Sequence, residues 1–331
     1  MTSLPPTLQD RARGSLAGLA IGDAIGRPVE GFSAAQIQAA HGRVTGYLDP
    51  DPAGSDDTEY ALLTAKTVER VGVGATAADF AQTWIEDVLP QADDFKGGGF
   101  SEMAAIDNLR RGIMPPLSGD NLHGWSDGLA MRVSPLGIVA DGDAALARRL
   151  AEADGAVSHT TEGIWAGVVV AVAVTTALTG AGAADCYEAG LAAIPADSWT
   201  ARNLRDARDL VHAGLDDDAL AIALHDRLAV VDYFWADLAP EAVGLAMSSV
   251  LRAEGRAAES ILFAVNMGRD ADTTAAIAGC VAGAISGIDA LPADWVAGLR
   301  PVAGSCIHSM RGIHPLDAAD ALARIAEEGR A

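Results

Sequence analysis

Glycines spaced four apart constrain this chain more than any other feature. They occur in two helical patterns, Gly14, Gly18, Gly22 and Gly26 near the start and Gly279, Gly283 and Gly287 near the end. A spacing of four puts them on one face of a helix. Each helical glycine costs about 1 kcal/mol relative to alanine, so a helix that keeps several implies another backbone pressed against the bare stripe. The two striped helices are therefore expected to pack on each other. Such a stripe also serves helix dimerisation in membranes, but no apolar run is expected to reach the ~18 to 20 residues that a span needs. Strand alternation stays short, and neither a repeat nor a linker is visible. The expected fold is all-α, one compact helical bundle in a single domain over residues 1–331.

A turn rich in oxygen donors precedes the second stripe. The apolar run Phe263-Ala264-Val265 breaks at Gly268 and leads into Asp270, Asp272 and Thr273, after which a helix is expected to begin. Three oxygen donors on one turn suit a hard cation such as Mg²⁺. The same acids also suit a helix start, where they cap free N–H groups and complement the macrodipole. A second acidic start lies at Ser55-Asp56-Asp57-Thr58-Glu59, ahead of a helical pattern from Tyr60 to Val71. Asp56 and Glu59 have the spacing of a capping box, although two adjacent acids are more than a cap requires. Glu30 follows the first helix on a loop, where Gly26 and Pro28 stop the helical pattern.

Elsewhere, helices are expected over residues 76–89, 144–153, 163–178 and 241–254, with two more between 184 and 230 and short ones at 292–298 and 315–328. Loops interrupt them at 91–101, at Pro115-Pro116 and at His123-Gly124-Trp125-Ser126-Asp127-Gly128. Their glycines permit unusual backbone angles and close ligand approach. His159, at the start of a mostly apolar helix, suits a core or capping role as readily as a functional one.

Half of the residues are apolar, enough for a substantial core. The formal charge of −22, with no basic stripe to offset it, argues against nucleic acid and anionic membrane surfaces as partners. Charged Asp10, Arg11 and Arg13 interrupt the first residues, so no secretory leader is expected. Cys186, Cys280 and Cys306 are scattered without CxxC spacing, as in reduced thiols of a cytoplasmic protein.

No Walker loop, GxSxG elbow, HExxH or strand-led GxGxxG occurs in the sequence. What remains is Glu30 with Asp56, Asp57, Asp270 and Asp272. If these five carboxylates converge, their repulsion raises their pKa values and strains the fold. Two divalent ions would nearly neutralise them, which is the arithmetic of a binuclear site.

These motifs resemble the ADP-ribosylglycohydrolases, the group of the dinitrogenase-reductase-activating glycohydrolases and the ADP-ribosylhydrolases. The resemblance runs in order through Gly18-Leu-Ala-Ile-Gly-Asp-Ala-Ile-Gly-Arg-Pro-Val-Glu30, Ser55-Asp-Asp-Thr58, Asp127-Gly-Leu-Ala-Met-Arg132, Ser158-His159 and Asn266-Met-Gly-Arg-Asp-Ala-Asp-Thr273. It implies an all-helical orthogonal bundle with two Mg²⁺ ions, or Mn²⁺, at the base of a cleft, hydrolysing the α-glycosidic bond of ADP-ribosylated proteins or small molecules. Ser55, Asp56, Asp57, Asp270, Asp272 and Thr273 look like the metal ligands. Glu30, Asp57 and Asp272 look like the carboxylates of the chemistry, with Glu30 or a ligand carboxylate taking a proton from water. Ser126, Asp127, Gly128, Arg132 and His159 look like the wall that meets the diphosphate and ribose, with Arg269 beside it.

Two departures bear on specificity. Arg269 stands where relatives usually have glycine, and Ser126-Asp127-Gly128 replaces a common Gly-Asn-Gly. Asp127 places a negative charge where relatives offer a neutral amide, unless Arg269 or Arg132 pairs with it. A glycosidase of a smaller ribosylated metabolite is the alternative enzyme, and a catalytically silent ADP-ribose-binding protein a third reading, disfavoured because every expected ligand is present.

Overall fold

The two glycine stripes meet. In the computed structural model, which describes residues 5–91 and 97–329, the Leu8–Gly26 helix lies along the Ala271–Ser286 helix and shares more of its length with it than any other pair of elements does. A Cβ added at Gly18 would sit 2.1 Å from the Gly279 carbonyl oxygen, and one added at Gly279 would sit 2.1 Å from that of Gly18. Gly14 meets Gly283 in the same way, and Gly22 and Gly26 meet the backbone of Ala275 and Ala271. Backbone touches backbone along the whole seam, which offsets the propensity cost of the glycines through close contact. Arg11 closes the far end by donating to the carbonyls of Ala284 and Ile285, at 2.9 and 2.5 Å, which the helix end leaves free.

This seam also sets the register of the site. Pairing Gly26 with Ala271 and the Cα of Asp272 brings the end of the first helix beside the acidic start of the second. Asp23, one turn back, is thereby carried to Asp272.

The described residues form seventeen α-helices and no strand, with isolated bridges at Ser33–Gly268 and Ser126–Leu238. The main apolar core runs from Ala12 to Ala323 and includes residues from both striped helices, and a smaller cluster gathers around Leu224 and Phe263. The middle of the expected 91–101 loop, residues 92–96, and both chain ends lie outside the described residues.

Several local expectations change. The helix expected after Thr273 begins at Ala271, so Asp270 takes the N-cap position and Asp272 and Thr273 lie in the first turn. Ser55, not Asp56, caps the Asp56–Val71 helix, and Glu59 is not its capping partner. The Glu59 carboxylate instead accepts from the backbone N–H groups of Ser305, Cys306 and Ile307, at 2.6 to 2.9 Å. Three helices rather than two fill the stretch after residue 183, Ala183–Ala192, Trp199–Val211 and Asp217–Leu228, because Pro195 and Gly214 each break the pattern. Thr161–Leu178 overturns the expectation that no apolar run reaches spanning length. It is 18 residues long and apolar enough, but 72% of it is buried inside the protein, where neighbouring helices supply its apolar surroundings.

Candidate metal centre and its cleft

The two acidic helix starts converge on one cleft of about 840 Å³, within the range of ligand sites. Glu30, Asp56, Asp57, Asp270, Asp272 and Thr273 all line it. Two groups of carboxylates have oxygens mutually within 4.8 Å: Asp23, Asp57 and Asp272, and Glu30, Asp270 and Asp272. Asp272 belongs to both. Ser55 stands behind this surface, donating from its hydroxyl to Asp57 at 2.9 Å.

The electrostatics are those of a site short of positive charge. Burial pushes the pKa values of Asp57, Asp270 and Asp272 well above the usual carboxylate range, and their neighbours push further: Asp23 and Asp272 on Asp57, Asp127 on Asp270, Asp270 and Glu30 on Asp272. Asp57 Oδ1 and Asp272 Oδ1 are buried without a hydrogen-bond partner. Protein groups elsewhere seldom leave such atoms unsatisfied, and a set of oxygen donors with unspent lone pairs fits a hard divalent cation.

Asp23, which the sequence reading passes over, holds the Ser55 segment in place. It is fully buried, accepts from the Ser55 N–H at 2.8 Å and from the Thr58 hydroxyl at 2.5 Å, and has its pKa raised to about 6 by burial. A lone acid inside an otherwise apolar, glycine-striped helix is the signal that could have found it. Asp56 is fixed from the opposite side by the Gly98 N–H at 2.6 Å.

The expected substrate wall divides into two layers. Asp127 and Gly128 line the cleft, and Asp127 Oδ2 has no partner. Ser126, Arg132 and His159 are corrected: all three are fully or almost fully buried and lie behind the wall rather than on it. Arg132 is shared between Glu102 at 3.1 Å and Asp154 at 3.0 Å, with its guanidinium over the rings of Tyr60 and Trp84. His159 Nε2 bonds the Ser126 hydroxyl at 3.1 Å and Nδ1 the Ser158 hydroxyl at 2.7 Å. Burial and the nearby Arg132 hold its pKa well below normal, so it is neutral.

Arg269 lines the cleft, yet its guanidinium is taken by Glu241, at 2.5 and 3.2 Å. Neither arginine therefore pairs with Asp127. Asp237 is a further cleft carboxylate that sequence reasoning missed, its pKa raised to about 6 by burial and by Asp56 and Glu30. Its carbonyl accepts from the Asp127 N–H at 3.3 Å, so the two acids are neighbours. Phe100, Tyr233 and Trp235 complete the mouth, with ring centroids of Phe100 and Trp235 4.9 Å apart.

Known proteins resemble this chain along most of their length. A solved structure described as "ADP-ribosylglycohydrolase-related protein complex" superposes with a TM-score of 0.66 and 26% identity, covering 96% of this chain and 99% of its own. An uncharacterized protein of Archaeoglobus fulgidus is 31% identical over 302 residues, 88% of this chain and 92% of that one. The ADP-ribosyl-[dinitrogen reductase] glycohydrolase of Rhodospirillum rubrum is 27% identical over 308 residues, 89% and 92% of the two chains. ADP-ribosylarginine hydrolase Tri1 of Pseudomonas putida is 28% identical over 311 residues, 89% of this chain and 76% of that one. The family model described as ADP-ribosylglycohydrolase matches residues 4–330, which takes in every acid of the cleft, and the chain belongs to that family of hydrolases.

Proposed function

We propose that the protein is a Mg²⁺-dependent ADP-ribosyl hydrolase that cleaves the α-glycosidic bond between ADP-ribose and a cationic acceptor. The observation that carries this reading is the sharing of Asp272 between two acidic clusters in one cleft. Asp56, Asp57, Asp270 and Asp272, with Ser55 and Thr273, are the residues to hold two ions, Mg²⁺ or Mn²⁺. Bound there, the ions would supply charge neutralisation and lower the pKa of a water. Glu30, on the exposed loop at the same cleft, would serve as the base toward an attacking water. The surrounding carboxylates favour the positive charge that develops on the sugar as the bond breaks.

Asp127 and Asp237 exceed what two dications require. A guanidinium or ammonium leaving group would satisfy the unpartnered Asp127 oxygen, and the aromatic rings at the mouth offer such a cation a face. The name of the Pseudomonas putida relative points to an arginine acceptor. A smaller, uncharged ribosylated metabolite is the second reading, and the lack of an arginine on Asp127 favours it: a charged Asp127 repels a diphosphate ~4 Å away by about 4 kcal/mol.

Side-by-side assays of ADP-ribosyl-arginine, ADP-ribosyl-serine and simple ribosides separate the two. Under the first reading the arginine conjugate is the best substrate, and Asp127→Asn lowers its turnover by about 10²-fold, as for one partner removed from a desolvated charge pair, without weakening ADP-ribose binding in calorimetry. Turnover of ribosides alone would replace the first reading by the second.

A pH-dependent metal effect is also expected. Folding raises the pKa values of Asp23, Asp57, Asp270 and Asp272. Their contribution to stability is therefore fully present below the unfolded value of about 4 and is lost as pH rises, for Asp23 through about 6 and for the other three through their own raised values. In chelator, Tm should fall between pH ~5 and ~8, and millimolar Mg²⁺ should restore it, with the larger rise at the higher pH. An equal or absent Mg²⁺ shift in thermal scans at both pH values would count against a metal site at these acids.

A further inference from the structure

We propose that Glu102 is a positioning residue: from the first turn of the Phe100–Arg110 helix it fixes the Ser126–Gly128 turn and so the direction in which Asp127 enters the cleft. The inference rests on the leaving-group role assigned above to Asp127. Glu102 does not line the cleft and is fully buried directly behind it. Its carboxylate meets Arg132 at 3.1 Å, accepts from the Ser126 hydroxyl at 3.4 Å and lies 3.4 Å from His159 Nε2. It also fills the space beside Gly128, where an added Cβ would sit 2.1 Å from Oε1. The neighbouring Ser101 grips the same turn, accepting from the Ser126 N–H at 3.3 Å and donating to the His123 carbonyl at 2.9 Å. Residues on both sides of Asp127 are thus held from behind by two consecutive side chains of one helix, while Asp127 lines the cleft and its buried Oδ2 has no hydrogen-bond partner.

The network has one cation, Arg132, for two buried carboxylates, Glu102 and Asp154. The two acids differ in what they can reach. Asp154 bonds Arg132 and the Thr64 hydroxyl, away from the turn, whereas Glu102 touches the turn itself. That difference separates positioning from plain support.

The test compares Glu102→Gln, Ser126→Ala and Asp154→Asn with the wild type, by steady-state kinetics on ADP-ribosyl-arginine with Mg²⁺, by thermal melts, and by crystal structures of the variants. Glu102→Gln keeps the shape and changes the hydrogen bonds. It should lower kcat by about 10²-fold, the cost of a displacement near 1 Å, with KM little changed and Asp127 turned in the crystal structure. Ser126→Ala, which introduces no new polar group, should lower kcat in the same direction and decides the matter if Glu102→Gln fails to fold. Asp154→Asn should lower Tm but leave kcat within about twofold, since the turn keeps its own partners. Equal kcat losses in Glu102→Gln and Asp154→Asn, or an unmoved Asp127 with normal kcat in the first two variants, would overturn the proposal. If the wild type fails to hydrolyse the conjugate, the functional reading falls, and the orientation of Asp127 in the variant crystals still judges this one.

Discussion

Asp272→Asn should abolish hydrolysis while making the metal-free protein more heat-stable. Asp272 is the one carboxylate common to both acidic clusters, so its loss weakens both cation positions at once. Charge stabilisation by a bound ion is worth several kcal/mol, and each 1.36 kcal/mol is tenfold in rate, which places the loss at roughly 10³-fold or more. The fold should survive, because Asp270 and not Asp272 takes the helix N-cap position. Without cations, Asp272 is pressed by Asp270, Glu30 and Asp23, and a neutral amide relieves that repulsion. Turnover, Tm in chelator and the Mg²⁺-induced rise in Tm should therefore move together: activity lost, the first Tm up, the rise reduced. Near-normal turnover at modest Mg²⁺ would sink the assignment of this cleft as a binuclear centre.

Gly18→Val is expected to prevent folding altogether. Ordinary overpacking costs about 1–3 kcal/mol because side chains yield, but the atom in the way at Gly18 is a backbone oxygen 2.1 Å from the new Cβ. Neither helix can give without parting the seam, and the whole stability of a domain is only about 5–15 kcal/mol. Gly74→Ala is the matched control, since nothing lies within 4 Å of its Cβ position, and its effect should stay below ~1 kcal/mol. Soluble yield and far-ultraviolet circular dichroism of the two variants check the contrast. A folded, helical Gly18→Val protein would mean that the seam is looser than the structure shows.

The seam and the acidic starts were legible in the sequence because each leaves a one-dimensional trace: a period of four in the glycines, and adjacent acids where a helical pattern begins. Glu102, Asp237 and Glu241 left none, and Asp23 only a lone acid in an apolar, glycine-striped helix. Glu102 and Glu241 lie in the first turns of their helices, where an acid complements the helix dipole, and only the folded chain shows each of them paired with an arginine. Arg132 and His159 were legible as special residues, but not as lying behind the wall, since burial depends on which helices cover a residue and periodicity does not report that. Asp23 and Asp237 become site residues only through partners far away in sequence, Asp272 for the first and Asp56 and Glu30 for the second.

The same seam has a consequence for how the protein is made. Its first helix packs on one that begins at Ala271, and chains are synthesised at about 5–20 residues per second, so the first helix waits on the order of 10 to 50 seconds for its partner to emerge. During that interval its bare glycine stripe and the apolar residues beside it lack the surface they fit, and contacts so distant in sequence are slow to form even once both helices exist. The acidic cleft, which needs carboxylates from both ends of this pairing, cannot assemble before the Ala271–Ser286 helix has been made. Until then the apolar face of the first helix has no partner helix to cover it.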